Sequence, residues 1–351
     1  MRLEPYDYEL PPERIAQEPV YPRDSARLLT VARGGGVTGH RVFRGLPELL
    51  APGDVLVVNE TRVSAVRLLG TREGLTGEVE ALLLRPAIEH GGECYEALVR
   101  PGRKIGEGER LVFAEAGVRA EVIARGLESG GRILRLTAID GGDVTALLET
   151  RGRVPLPPYI TAPLSDRERY QTVYAKSPGS AAAPTAGLHF TPELLQQIRE
   201  RGVRVCTVRL DVGLGTFRPI KDTEDVTTHE MHAETYCVSA ETADAVNACT
   251  GRVVAVGTTS LRSLESAALL ADAGKRVAAT EGETRLFVLP GYKFRAVDAL
   301  VTNFHQPHST LLLLVAAFVG AETMREAYRA ALESEYRFLS FGDAMFAYPA
   351  S

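Results

Sequence analysis

Gly53-Asp54-Val55-Leu56-Val57-Val58-Asn59-Glu60-Thr61-Arg62 is the stretch on which the fold turns. Its apolar run ends abruptly in polar residues, the pattern of a buried strand whose carboxyl end presents Asn59, Thr61 and Arg62. Beyond it the texture changes. From about residue 63 to residue 150 the chain offers short β-rich runs, Val79 to Leu84, Tyr95 to Val99, Arg110 to Phe113, Val118 to Ala124 and Arg132 to Thr137, separated by glycine-bearing turns. The first amphipathic helix after them is Val144 to Thr150. Val154-Pro155-Leu156-Pro157-Pro158-Tyr159-Ile160 then reads as a stiff return linker, because consecutive prolines forbid regular helix. Past it, helices and strands alternate: helix 192–201, strand Val203 to Leu210, helix Ala240 to Cys249, strand Arg252 to Val256, helix Ser260 to Ala273 and strand Ala299 to Phe304. The sequence therefore predicts a mixed α/β main domain, residues 1–62 and 151–351, with a small antiparallel β-barrel domain inserted at 63–150.

The bulk numbers narrow the function classes. A chain of 351 residues, 45% hydrophobic, can bury two cores, and a soluble two-domain protein is expected. Cys94, Cys206, Cys237 and Cys249 are scattered with no C-x-x-C pair, which argues against a zinc ribbon or disulfide framework and for a reducing cytoplasm. The N-terminus lacks a signal-peptide core, and Leu311 to Val319 is too short to span a bilayer, so it reads as a buried helix. With a net charge of -5, RNA binding needs a local basic patch, for which Arg100-Pro101-Gly102-Arg103-Lys104 is the candidate.

Five segments carry possible chemistry. Residues 166–192 join a charged, aromatic lead-in, with Tyr170 and Tyr174, to a small-residue run with Thr185 that ends in Gly187-Leu188-His189-Phe190; Thr191-Pro192-Glu193 then starts a helix. Strand 252–256 runs into Gly257-Thr258-Thr259-Ser260 and a helix bearing Arg262, a generic cradle for a carboxylate, phosphate or ribose, though not a Walker motif. Asp211-Val212-Gly213-Leu214-Gly215-Thr216-Phe217-Arg218 follows a strand and could hold a ribose and a cationic ligand through Asp211, Gly215, Thr216 and Phe217. In His229-Glu230-Met231-His232-Ala233-Glu234 the histidine spacing is not that of a zincin, and a strand from Ala233 would pair His232 with Glu234 on one face for proton transfer or substrate contact. Thr302, Asn303 and His305 end a further strand, with Ser309 as the next N-cap.

Taken in order, these segments resemble the S-adenosylmethionine:tRNA ribosyltransferase-isomerase family of the queuosine pathway. The resemblance runs from Tyr6-Asp7-Tyr8-Glu9-Leu10-Pro11-Pro12-Glu13-Arg14 and Pro22-Arg23-Asp24-Ser25 to Phe341-Gly342-Asp343-Ala344-Met345, so it covers essentially the whole chain. It implies a cytoplasmic, monomeric enzyme with no membrane partner. The reaction would move and isomerise the ribosyl group of S-adenosylmethionine onto 7-aminomethyl-7-deazaguanine at the tRNA wobble position, giving epoxyqueuosine, adenine and methionine. S-adenosylmethionine would be a consumed substrate, with no cofactor and no metal. One departure is visible: the family usually carries lysine where this chain has His308, which makes a permanent charge titratable.

The implied chemistry suits the side chains. A sulfonium acidifies the C5′ hydrogens, so a base must remove one, adenine must leave with protonation, and the tRNA amine must attack C1′. His189, Glu230, His232 and His305 are the acid–base candidates, with no proton assigned to any one of them. Asn59, Arg62, Tyr170, Tyr174, Thr185, Gly187, Asp211, the Gly215-Thr216-Phe217 loop, Thr258, Thr259, Arg262 and Asn303 are the expected substrate contacts. The two tyrosines could stack a splayed base, and Arg62, Arg100, Arg103 and Lys104 could hold phosphates. Two other classes make different predictions. A metal-dependent hydrolase using His229, His232 and His305 would lose activity on chelation, and a noncatalytic RNA-binding module would bind tRNA without releasing adenine.

Overall fold

The computed structural model describes residues 1–126, 130–213, 220 and 225–350. In chain order its strands begin with β1 (Arg27–Arg33), β2 (Gly36–Val42), β3 (Val55–Asn59) and β4 (Thr61–Val63). Six follow in close succession: β5 (Val66–Arg72), β6 (Glu78–Pro86), β7 (Cys94–Arg100), β8 (Arg110–Phe113), β9 (Val118–Arg125) and β10 (Gly131–Ala138). Helix α1 (Val144–Arg151) and β11 (Ser177–Ser180) come next. The alternating part holds α2 (Pro192–Glu200), β12 (Arg204–Leu210), β13 (Glu234–Val238), α3 (Ala240–Asn247), β14 (Val253–Val256) and α4 (Gly257–Leu269). It closes with β15 (Thr280–Thr284), β16 (Ala299–Asn303), α5 (Thr310–Val319), α6 (Ala321–Glu333) and β17 (Ala344–Pro349).

The chain divides into two compact units, one of Met1–Arg62, Pro157–Ser177 and Ala183–Ser351, the other of Val63–Leu156 and Pro178–Ala182. In the second, β10-β7-β6-β5-β8-β9 close into an antiparallel barrel. Its strands alternate as the pleat requires, and the inward set, including Leu68, Ala81, Phe113, Val118 and Leu134, fills the interior. The fold class is thus mixed α/β with a closed antiparallel barrel inserted in the chain.

The first unit is built on a nine-stranded sheet in the order β15-β13-β12-β3-β14-β16-β17-β1-β2. β3 pairs in parallel with β12 on one side and β14 on the other, and β14 pairs in parallel with β16. Strands 55–59 and 253–256 are buried along their whole length, as continuous apolar runs in the middle of a sheet must be. Leu56, Val58, Val254, Val256 and Val301 pack against Phe43, Phe190, Leu194 and Ile198. Helix α2 joins that layer because Leu194, Leu195 and Ile198 form one stripe, and Thr191 caps it by accepting from the Leu194 N–H at 3.1 Å. Each such buried side chain stabilises the fold by about 1.5–3 kcal/mol.

Several boundaries differ from the sequence reading, among them the end of helix α4, at Leu269 and not Ala273. Helix α4 begins at Gly257, not Ser260, because Gly257 at φ 84° lets the chain enter the helix straight from β14. Helix α3 ends at Asn247, whose side-chain amide bonds the Val277 carbonyl. Helix α5 is ten residues long and buried on nearly every side, and no helix among the described residues is long and apolar enough to cross a membrane.

Candidate functional site

Since β12, β3, β14 and β16 run parallel, their carboxyl ends share one edge of the sheet, where open α/β sheets bind ligands. A cleft open to solvent, with a cavity volume of about 80 Å³, lies there. Its wall takes Thr185 and Ala186 from the 3₁₀ turn Thr185–His189, Val212 after β12, Gly257 to Thr259 at the start of α4, and Thr302 to His305 at the end of β16. Of the residues singled out from sequence, Thr185, Thr258, Thr259, Asn303 and His305 meet in this cleft. Asn303 is fixed at both ends of its amide: Oδ1 accepts from Thr185 Oγ1 at 3.0 Å and Nδ2 donates to the Leu339 carbonyl at 3.1 Å.

His305 is the one histidine in the wall. Its Nε2 lies 2.8 Å from Thr302 Oγ1, and burial pushes the imidazole down to about 3, so it is neutral at physiological pH. The same wall contains Tyr159, which the sequence reading treated only as part of a linker. Its hydroxyl meets Ser340 Oγ at 2.7 Å, and burial pushes it up to about 12. The cleft thus carries one titratable group held deprotonated and one held protonated. An aromatic ring inside a proline-rich bend was the only signal for Tyr159; Gln306 and Ser340, also in the wall, gave none.

The other candidates lie elsewhere. His189 does not line the cleft; its ring is buried against Phe43, with Nδ1 3.1 Å from the Ala186 carbonyl and Nε2 3.0 Å from that of Gly342. Burial lowers its pKa against the pull of those two carbonyls, and the geometry is that of a clamp between segments. Gly187 is buried behind the wall, where it faces Tyr174. Tyr170 is fully buried edge-on to Phe341, so its ring offers no free face for base stacking, whereas Tyr174 is half-buried, with its hydroxyl buried and its ring edge-on to Phe190. Their charged neighbours made both look exposed.

His232 and Glu230 are exposed, and the strand begins only at Glu234, so His232 does not share a strand face with it. Glu234 is instead buried, pairing with Arg262 Nη1 and accepting from the Gly213 N–H at 3.2 Å. Arg262, expected at substrate, serves as its counter-ion and also donates to the Leu286 carbonyl at 3.1 Å. Asn59 ties strand ends, bonding both backbone groups of Leu210. Asp211 accepts from Thr61 Oγ1 at 2.7 Å, and burial raises its carboxyl. Arg62 pairs with Glu168 at 2.6 Å. Gly215, Thr216 and Phe217 lie outside the described residues. His308, the departure from the family pattern, meets Asp7 Oδ2 at 3.0 Å. Arg100, Arg103 and Lys104 are exposed on the barrel unit. Among the described residues no group of three or more His, Cys, Asp or Glu side chains is placed to hold a metal ion.

Fold and cleft together define an α/β protein with a cleft at the sheet's carboxyl edge and a barrel inserted in its chain. Over residues 3–347 the sequence matches the family described as queuosine biosynthesis protein, and the chain belongs to that family. It is 51% identical to the S-adenosylmethionine:tRNA ribosyltransferase-isomerase of Moorella thermoacetica, over 98% of this chain and 99% of that one. The protein of the same name from Thermus thermophilus is 54% identical over 98% of each chain. A crystal structure of the Thermotoga maritima S-adenosylmethionine tRNA ribosyltransferase superposes with a TM-score of 0.54 at 38% identity, covering 98% of this chain and 99% of that one.

Proposed function

We infer that this chain, like its relatives, is a transferase that moves and isomerises the ribosyl group of S-adenosylmethionine onto 7-aminomethyl-7-deazaguanine at the wobble position of tRNA, releasing adenine and methionine. The full-length likeness to proteins of that name carries the reading. The cleft suits it on chemical grounds. A sulfonium substrate carries its own positive charge, and the wall provides polar but uncharged contacts around it: Thr185, Thr258, Thr259, Asn303.

Proton transfer falls to the groups in the wall. His305, neutral above about pH 3, and Tyr159, which remains protonated, are the titratable groups of the wall, and bound substrate must bring the pKa of each back toward neutrality for His305 to accept the C5′ proton and Tyr159 to donate toward the departing adenine. His189, Glu230 and His232 are left with structural or peripheral roles. Arg100, Arg103 and Lys104 serve as phosphate contacts, which position the tRNA without reading its sequence. The reaction belongs to the cytoplasm, where tRNA and S-adenosylmethionine meet. The test is incubation of the protein with S-adenosylmethionine and tRNA bearing the modified base. Adenine, methionine and a heavier nucleoside should appear together, and their joint absence defeats the reading.

A further inference from the structure

The N-terminus of helix α4 opens on the cleft. Helix α4 has thirteen residues and no side-chain cap, since Val256 precedes it. Its first N–H groups therefore have no partner within the helix. Helix α5 opens on the same cleft, but there Ser309 Oγ already accepts from the Leu312 N–H at 3.2 Å. A second observation points to a ligand at α4. Thr258 is 7% exposed and lines the cleft, and its hydroxyl has no hydrogen-bond partner among the described residues. Thr259 lines it as well, and its Oγ1 is buried with no partner. A buried hydroxyl left unpaired is costly, and that of Thr259, next to the Thr258 hydroxyl and the uncapped N–H groups, leaves a set of donors without an acceptor.

The described wall of the cleft contains no lysine, arginine, aspartate or glutamate. An anion entering it must be held by neutral donors, and the α4 terminus is where they gather. We propose that the α4 N-terminus, through the Thr258 and Thr259 N–H groups and both hydroxyls, binds the α-carboxylate of the methionyl tail of S-adenosylmethionine. This rests on the reaction inferred above. It fixes which end of the substrate faces β14, and it makes the product methionine a ligand of the same site. A phosphate of the tRNA backbone shares the chemistry but not the location, because it would have to enter the cleft alongside the nucleoside.

Calorimetric binding of S-adenosylmethionine and of its decarboxylated analogue to the full-length protein separates the possibilities without relying on turnover. The native protein should bind the carboxylate form at least about tenfold more tightly, the scale of a charge-assisted hydrogen bond. Thr258→Val and Thr259→Val should shrink that preference several-fold, while Thr259→Ser retains it. Methionine should compete, and the amine lacking its carboxylate should not. Equal affinity for the two forms in the native protein overturns the proposal, as does a valine variant that weakens both equally or one that weakens only tRNA binding. If the preference is found yet no adenine forms with modified tRNA, the carboxylate site stands and the inferred reaction fails by itself.

Discussion

His305 Nε2 lies 2.8 Å from the hydroxyl of Thr302, three residues earlier at the end of β16. This holds the imidazole at the cleft wall while burial pushes its pKa from 6.5 down to about 3. Between those values the unfolded chain binds a proton that the folded chain refuses, so His305 makes stability fall as pH drops through that window. The slope is at most about 1.4 kcal/mol per pH unit. His305→Gln should therefore flatten the acid limb of urea midpoints measured from pH 7 to pH 4.5. The same variant should lower the turnover of adenine release at saturating substrates by about a hundredfold. Unchanged turnover would remove His305 from proton transfer and leave Tyr159 as the wall's titratable candidate.

Gly187 is dictated by Tyr174. A Cβ at position 187 would overlap the Tyr174 hydroxyl and come within 2.8 Å of Thr172 Cγ2. Gly187→Ala should cost about 1–3 kcal/mol, the usual penalty of overpacking. The Tyr174 hydroxyl is buried without a partner, so Tyr174→Phe should be neutral or stabilising, and it should restore part of the loss in the double variant. Strict additivity in thermal unfolding would mean that the two side chains do not collide.

Glu265, in the middle of α4, is fully buried and gathers a whole loop. Its Oε1 accepts from the N–H groups of Arg295, Ala296 and Val297 at 3.2, 3.0 and 3.0 Å, and its Oε2 accepts from Tyr292 Oη at 3.1 Å. Glu265→Ala would leave three backbone donors without acceptors and should destabilise by about 3 kcal/mol or more. Hydrogen exchange should rise first at residues 295–297. Native protection there would show that the loop is held by other contacts.

What could be read from the sequence was whatever depends on neighbouring residues. The apolar runs at Val55–Asn59 and Val253–Val256, the cap Thr191 before Pro192 and the change of texture after Arg62 all declare themselves within a few positions. What was lost depends on distant partners. His232 and Glu234 alternate like a strand pair until Arg262, twenty-eight residues on, claims the Glu234 carboxylate. Tyr170 carries every local mark of a surface residue, yet it is fully buried with Phe341, brought beside it by the C-terminal segment, edge-on to its ring. His189 next to glycine looks catalytic until two carbonyls from separate segments are found at its two nitrogens. Tyr159 reached the cleft unannounced because a proline-rich bend has no periodicity to reveal which side faces inward.

The basic turn of the barrel supplies the last prediction. Arg132 spans it from within, donating from Nη2 to the Gly102 carbonyl at 2.6 Å and from Nε to that of Ile105 at 2.8 Å. The turn is thereby fixed while the side chains of Arg103 and Lys104 stay exposed, and neither forms an ion pair with a described residue. Cations that are positioned but unpaired suit phosphate, because no internal partner must be given up on binding. Arg103→Ala should weaken tRNA binding and reduce the slope of log affinity against log salt by about 1, leaving turnover at saturating tRNA nearly intact. Lys104→Ala should behave alike, and Arg103→Lys should keep most of the slope. If Arg103→Ala leaves both affinity and salt dependence unchanged, the turn does not meet the tRNA backbone, and the phosphate contacts must be sought on the other unit, beginning with Arg62.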